Sequence, residues 1–250
     1  MDSSLVKRIS VLDVPVDIVK TEDLETVILT LAENNKVNQI LLLDFIGFMK
    51  ARRKKSQWHQ AVQEAALVLP VSHRILSAAR FLKQERPTHY KAFDFIISLM
   101  GILEKRRKSA YLVGSSKKRI QKSFTNLKNS FPGLRFVGRH QGKWDKDREE
   151  DILMAIKKSS PTFLLAGRGV KGKDLWLYRS KEALNPGILL WNKQCYEIIG
   201  GRRSKPSESK VSRFFRSFLK SFFLPWRWVR IFRMVWFWLL LLWTRLFKSD

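Results

Sequence analysis

The feature that most restricts the fold of this chain is a series of short apolar runs, each separated from the next by a segment of helical pattern. The runs are QILLLDF (39–45), ALVLPV (66–71), AYLVG (110–114), LRFVG (134–138), TFLLAG (162–167) and GILLW (187–191). Several are apolar throughout, as strands covered on both faces are. SVLDVPVDIV (10–19) alternates instead and reads as a strand pair or hairpin. Between the runs, TEDLETVILTLAENN (21–35) is expected to be a helix capped by Thr21, with acids in its first turn. DREEDILMAIKKSSP (147–161) carries acids at its start, lysines at its end and a proline stop, which complements a helix dipole. Strand alternating with helix predicts an α/β fold with an open, mainly parallel sheet flanked by helices.

The pattern stops at GGRRSKPSESK (200–210), where Gly, Ser, Pro and charge replace the apolar periodicity. This divides the chain into a domain over 1–203, a linker over 204–212 and a tail over 213–250. In RFFRSFLKSFFL (213–224), Phe214, Phe215, Phe218, Leu219, Phe222 and Phe223 share one helical face. Pro225 is expected to break or kink the chain. Trp226, Trp228, Arg230, Arg233, Trp236 and Trp238 then lead into an apolar run, MVWFWLLLLW (234–243), about half of the roughly 20 residues a spanning helix needs. A basic amphipathic segment rich in Trp and Phe fits a helix lying in a membrane interface. An ordinary apolar helix packed on the core or on another subunit is the plainer reading, and a single span is the third.

The formal net charge of +26 predicts attraction to polyanions, anionic lipid and phosphorylated substrates included. Aromatics are not interleaved with the basic runs ARRKK (51–55) and EKRRK (104–108), so nucleic acid is not the expected partner. One cysteine, Cys195, excludes an internal disulfide. MDSSLVKRIS has no apolar stretch behind its charges, so no signal peptide is expected, and a cytoplasmic setting is.

Three motifs carry candidate chemistry. GRGVKG (167–172) matches G-x-G-x-x-G after a strand and before the expected helix KDLWLYRSKEAL, and reads either as a diphosphate loop or as glycines that only shape the turn. In GSSKKR (114–119), Gly114, Ser115 and Ser116 offer amides and hydroxyls to a phosphate, or simply cap a helix. DKD (145–147) resembles a metal-holding D-x-D but is already explained by a helix dipole. No H-E-x-x-H or G-x-S-x-G pattern supports a zinc hydrolase or a Ser triad.

Taken in order, these pieces resemble the WecG/TagA/CpsF glycosyltransferases over roughly residues 8–206. SVLDVPVD (10–17) is similar to that family's V-L-G-V-P-I-D, and LLDFIGFMKARR (42–53) to T-L-N-A-E-M-V-x-L-A-R. ALVLPVSHRILSAARFL (66–82) is similar to A-D-L-V-L-P-D-G-x-G-x-x-x-A-A-R-x-L, and KAFDF (91–95) to T-G-S-D-L. FPGLRFVGRHQG (131–142), GVKGKDLWL (169–177) and YEIIGGRRSKP (196–206) resemble Y-P-G-L-x-I-V-G-x-x-x-G, G-x-P-K-Q-E-x-W-I and F-D-F-L-A-G-x-x-x-R-A-P. The resemblance implies a Rossmann-like sheet and inverting transfer of an N-acetylhexosamine-type sugar from a UDP-sugar. The implied acceptor is a polyprenyl-diphosphate-linked sugar at the cytoplasmic membrane face, in cell-surface polysaccharide synthesis. No metal or other cofactor is implied. A C-terminal appendage that meets the membrane and helps complete the active site belongs to the same picture.

The departures fall on the chemistry. The Asp of L-P-D-G, the family's presumed base, is Val71 here, and a valine accepts no proton. Asp44 stands for the Asn of T-L-N, Leu42 for its Thr, and His89 for the Arg before T-G-S-D. P-K-Q-E has become Lys171, Gly172, Lys173 and Asp174; Asp94 remains, Glu197 replaces an Asp, and Gly201 holds. Three readings are open. Catalysis uses relocated groups, with His73 or Asp44 as base, Asp94 retained and Lys171 or Lys173 offsetting diphosphate charge; on this reading Gly114, Ser115, Gly167, Gly169 and Glu197 complete the substrate site. Alternatively the chain binds sugar nucleotide or lipid-linked sugar without turnover, or it is a membrane-associated scaffold for other polysaccharide-assembly enzymes.

Overall fold

The computed structural model describes the backbone of residues 5–202 and 225–247; the side chains of Lys146, of 225–234 and of Phe247 lie outside the described residues. Strands β1 (Lys7–Val11) and β2 (Val14–Ile18) form the expected antiparallel hairpin. Its two-residue turn holds Leu12 and Asp13 at φ 51° and 65°, the pair of positive angles whose twist matches the flanking strands. The main sheet comprises β3 (Val37–Leu43), β4 (Leu67–Pro70), β5 (Ser109–Val113), β6 (Arg135–His140), β7 (Phe163–Gly167) and β8 (Gly187–Asn192). Its order is β4-β3-β8-β7-β5-β6, and every pairing is parallel.

Helices α1 (Leu24–Glu33), α2 (Phe45–Ala51), α3 (Gln57–Gln63), α4 (His73–Phe81) and α5 (Ala92–Lys105) belong to the first half. They are followed by α6 (Lys117–Ser130), α7 (Glu149–Ser159), α8 (Asp174–Arg179), α9 (Cys195–Ile199) and α10 (Pro225–Phe247). Successive strand residues point to opposite faces. Ile40, Leu67, Leu69, Leu112, Phe163, Leu165, Ile188 and Leu190 meet residues of α1, α5, α6 and α9 on one face. On the other, Leu41, Leu43 and Val68 pack with the hairpin, α2, α3, α4 and α10, while Val113, Leu164, Ala166 and Leu189 pack with α7 and α8. Cover on both faces is why the runs carry no polar alternation.

The hairpin is fastened to the sheet by one carboxylate. Asp17 lies at a completely buried side-chain position and takes a forked pair of bonds from Arg8, Nε to Oδ1 at 2.7 Å and Nη2 to Oδ2 at 2.8 Å. Its Oδ2 also accepts from the Val68 amide of β4 at 2.6 Å.

Two local expectations are corrected. Residues 21–23 form a turn, and α1 opens at Leu24 after Asp23, whose side chain makes no capping bond; Thr21 is not the cap. The helix expected over KDLWLYRSKEAL is six residues of α8, followed by a 3₁₀ turn at Lys181–Ala183. Pro225 is the first residue of a 23-residue helix, where its missing N–H costs no hydrogen bond; the residues that precede it, and so the expected break there, lie outside the described residues. The linker 204–212 and the aromatic face with Phe218 and Phe222 lie outside the described residues.

Candidate active site

Loops at the carboxyl ends of the parallel strands share one edge of the sheet. Strand β5 leads to β6 on one side and its neighbour β7 leads to β8 on the other, so the β5 and β7 loops diverge. Such a switch point is where open α/β sheets hold ligands. Here the loops interlock. The Gly114 amide donates to the His140 carbonyl at 2.9 Å, the Ser115 amide to Arg168, and the Gly142 amide to the Ser115 carbonyl at 2.8 Å. A Cβ on Gly114, which sits at φ +140°, would stand 2.8 Å from the Gly167 nitrogen. The Gly114 and Ser115 amides are therefore engaged within the protein. The outward-facing donors are those of α6, whose first residues follow an exposed Ser116 that makes no side-chain cap. Ser115 Oγ accepts from Arg119 at 3.2 Å.

The glycines of GRGVKG have structural duties. A side chain at Gly167 would collide with the ring of Tyr196, whose hydroxyl donates to the Leu165 carbonyl at 2.5 Å. Gly169, at φ +101°, lies against Gly142. The helix beyond is short and opens with an acid, Asp174. Around this loop, buried Glu197 of α9 accepts from Arg168 Nη1 at 2.6 Å, Lys173 Nζ lies 5.9 Å from the centroid of Trp191, and Lys171 is exposed.

A second group sits at the ends of β3 and β4, on the far side of β8. Asp44 follows β3 and caps α2, its Oδ1 accepting from the Gly47 amide at 2.6 Å. The Val71 amide donates to the Leu43 carbonyl at 3.1 Å, joining the two strand ends. His73 opens α4 at an exposed position, and its ring stacks on that of His89, with centroids 3.9 Å apart and planes at 20°. Burial, then the charge of His73, pushes His89 below its ordinary value, while a hydrogen bond to the Val71 backbone opposes the shift. Asp94 lies exposed in the first turn of α5, just beyond this loop.

Sequence reasoning named His73 and Asp44 but missed the pairing with His89 and the enclosure of Asp174. Burial pushes the Asp174 carboxyl up to about 7, with the charge of Asp44 adding to the shift and its own backbone bond and Lys173 opposing it. Its ordinary value of 3.8 would leave it ionised at neutral pH. Nothing in GVKGKD announces this, because the walls around Asp174 come from distant segments; Gln39 of β3 donates to its carbonyl at 2.9 Å. Among the described residues no cluster of three or more His, Cys, Asp or Glu side chains is placed to hold a metal, and Asp145 and Asp147 are exposed.

Helix α10 docks beside the β3–β4 group. Phe237 meets Phe45 edge-on at 5.1 Å and Phe48 at 6.1 Å; Leu241 is fully buried and Trp238 meets Phe81 at 5.8 Å. Phe45 follows Asp44 in sequence, and its ring also carries the guanidinium of Arg74, next to His73, at 4.8 Å. The opposite face of α10 is open: Trp236, Leu239, Leu242, Trp243 and Leu246 are 46–73% exposed. Packing on the body thus accounts for one face of the helix and leaves the other largely exposed. The side chains of Trp226, Trp228, Arg230 and Arg233 lie outside the described residues. No helix among the described residues is long and apolar enough to cross a membrane.

A parallel α/β sheet with its candidate groups at the carboxyl edge defines a Rossmann-like protein. The chain belongs to the WecG/TagA/CpsF family of glycosyl transferases, whose model matches residues 9–250. It is also similar to the N-acetylglucosaminyldiphosphoundecaprenol N-acetyl-beta-D-mannosaminyltransferase of Bacillus subtilis (strain 168). The two are 16% identical over 178 residues, which cover 71% of this chain and 69% of that protein.

Proposed function

We propose that this chain transfers an N-acetylhexosamine-type sugar from a UDP-sugar to a polyprenyl-diphosphate-linked sugar, for cell-surface polysaccharide synthesis, while lying on the cytoplasmic face of the membrane. In this reading residues 1–203 form the transferase domain, 204–212 a linker and 213–250 a membrane-associating tail. The observation that carries it is the docking of α10 through Phe237 onto Phe45, beside Asp44 and His73, with its apolar outer face left open. A tail held in this way puts the strand ends next to a lipid-borne substrate and supplies proximity.

The transfer step balances without a metal. An acceptor hydroxyl oxygen bonds to the anomeric carbon as the carbon–oxygen bond to the diphosphate breaks, UDP leaves with that electron pair, and the hydroxyl proton passes to a protein base. His73, two residues past the Val71 that stands in place of an acid and stacked on His89, is the proposed base, and Asp44 lies at the adjoining strand end. The open start of α6, with Lys117, and Lys171 and Lys173 from the β7 loop supply positive charge for the diphosphate.

Val71 itself favours a second reading, in which the chain binds sugar nucleotide or lipid-linked sugar without turnover. UDP release separates the two. Full-length protein is given a panel of UDP-sugars and a short-chain polyprenyl-diphosphate-GlcNAc acceptor in liposomes. Acceptor-dependent UDP release, lost in His73→Ala or Asp44→Asn, is the expected outcome. Saturable UDP-sugar binding without release, beside an active family member run in parallel, establishes the second reading.

A further inference from the structure

Between α2 and α10 lies a groove of about 460 Å³, lined by Ile46, Met49, Lys50, Arg52, Arg53, Trp236 and Leu240. Three of these are cations, four are apolar, and none is a carboxylate. Arg52 is half-buried, and its Nε is out of solvent with no hydrogen-bond partner among the described residues. A buried donor left unpaired costs about 1–3 kcal/mol, so an occupant that brings acceptor oxygens is favoured. Burial also pulls the guanidinium below its ordinary value, opposed by the charge of Asp13, which lines a neighbouring groove on the other side of Arg52. The apolar wall is continuous with the open face of α10, because Trp236 belongs to both.

We propose that this groove holds the headgroup of one anionic phospholipid. Its phosphodiester oxygens accept from Arg52, with Arg53 and Lys50 supplying charge, and its first acyl segments lie on Ile46, Met49, Trp236 and Leu240. A free phosphate would leave four apolar side chains unused, and a neutral amphiphile would leave three cations unmatched. The site is in the α/β body, on and just beyond α2, and is distinct from general attraction of the basic tail to a membrane. It rests on the membrane-facing orientation of α10 and not on sugar transfer.

Full-length protein is titrated by calorimetry with dihexanoyl phosphatidylglycerol below its aggregation concentration. One saturable site is expected, with dihexanoyl phosphatidylcholine at least tenfold weaker and inorganic phosphate weaker still. The double variant Arg52→Gln, Arg53→Gln is expected to weaken phosphatidylglycerol at least tenfold. Met49→Glu, which places an acid in the groove and leaves Arg52 in place, does the same if the double variant does not fold. Equal binding of phosphatidylcholine, equal binding of inorganic phosphate, or a tenfold preference for geranyl diphosphate would each overturn the assignment. So would unchanged binding in folded variants. The readout is binding alone, so it stands or falls apart from the UDP-release result.

Discussion

Asp17, fully buried, and Asp174, half-buried, show how differently single residues use the same chemistry. Asp17 is paired on both oxygens, by Arg8 and by the Val68 amide, and it fastens the hairpin to β4. Removing one partner of a buried ion pair leaves the other uncompensated and typically costs about 3–5 kcal/mol. Asp17→Ala is therefore expected to lower the urea midpoint by that equivalent, and to do so more than Arg8→Ala, because Arg8 keeps part of its side chain in water. Asp174 is enclosed without a matching cation, and its carboxyl rises to about 7. A raised acid means that the folded protein keeps a proton the unfolded chain has lost. Between 3.8, the ordinary value, and about 7, this residue's contribution makes stability fall as pH rises, by about 1.4 kcal/mol per unit at most, and above that window it is flat. Asp174→Asn is expected to remove this slope and to raise stability most above pH 7, measured by denaturant titration at pH 5, 6, 7 and 8. An unchanged slope would mean that the group is ionised throughout.

Strands β3, β4, β5, β7 and β8 were legible as elements because each is covered on both faces, and their apolar runs record that cover directly, whereas the edge strand β6 alternates exposed and half-buried residues. Helix starts were less legible: Thr21 has the composition of a cap, yet the chain turns through Asp23 before α1 begins. The glycine loops were readable as loops but not as to duty. Gly167 looks like a phosphate glycine in GRGVKG, and only the approach of Tyr196 from α9, 29 residues on, shows what it accommodates. Gly167→Ala puts a methyl into that ring. It is expected to destabilise by about 1–3 kcal/mol, the usual range for overpacking, and to change the near-ultraviolet signal of Tyr196. If the melting point and that signal both stay as they are, a direct ligand role for Gly167 regains ground. The His73–His89 stack was invisible for a related reason, since the two rings are brought together by a loop that returns from α4 to the end of β4.

At the scale of the whole molecule, the net charge of +26 and the exposed face of α10 both favour the anionic membrane surface of the proposed function. Phe237 and Leu241, one turn apart, are buried at 2% and 0% exposure, while Trp236, Leu239, Trp243 and Leu246 follow the opposite stripe at i, i+3, i+7 and i+10. Substituting each stripe separately distinguishes docking from membrane contact. The triple variant Val235→Ser, Leu239→Ser, Leu246→Ser removes side chains that are 52–73% exposed, so its melting point is expected to stay within a degree or two of wild type. Burying each such side chain in a bilayer is worth about 1.5–3 kcal/mol, so sedimentation with anionic liposomes is expected to weaken at least tenfold. Phe237→Ala acts inversely. It leaves the outer stripe and the proposed membrane contact in place, but it empties the space between Phe45 and Phe48 and loosens α10 from the side of Asp44. UDP release in liposomes is then expected to fall while sedimentation holds. Raising salt from 0.1 to 1 M shortens the Debye length from about 10 to 3 Å, and is expected to weaken wild-type sedimentation without abolishing it, since the apolar stripe remains. Wild-type sedimentation by the triple variant would assign the membrane contact to some other surface and leave the open face of α10 to another partner.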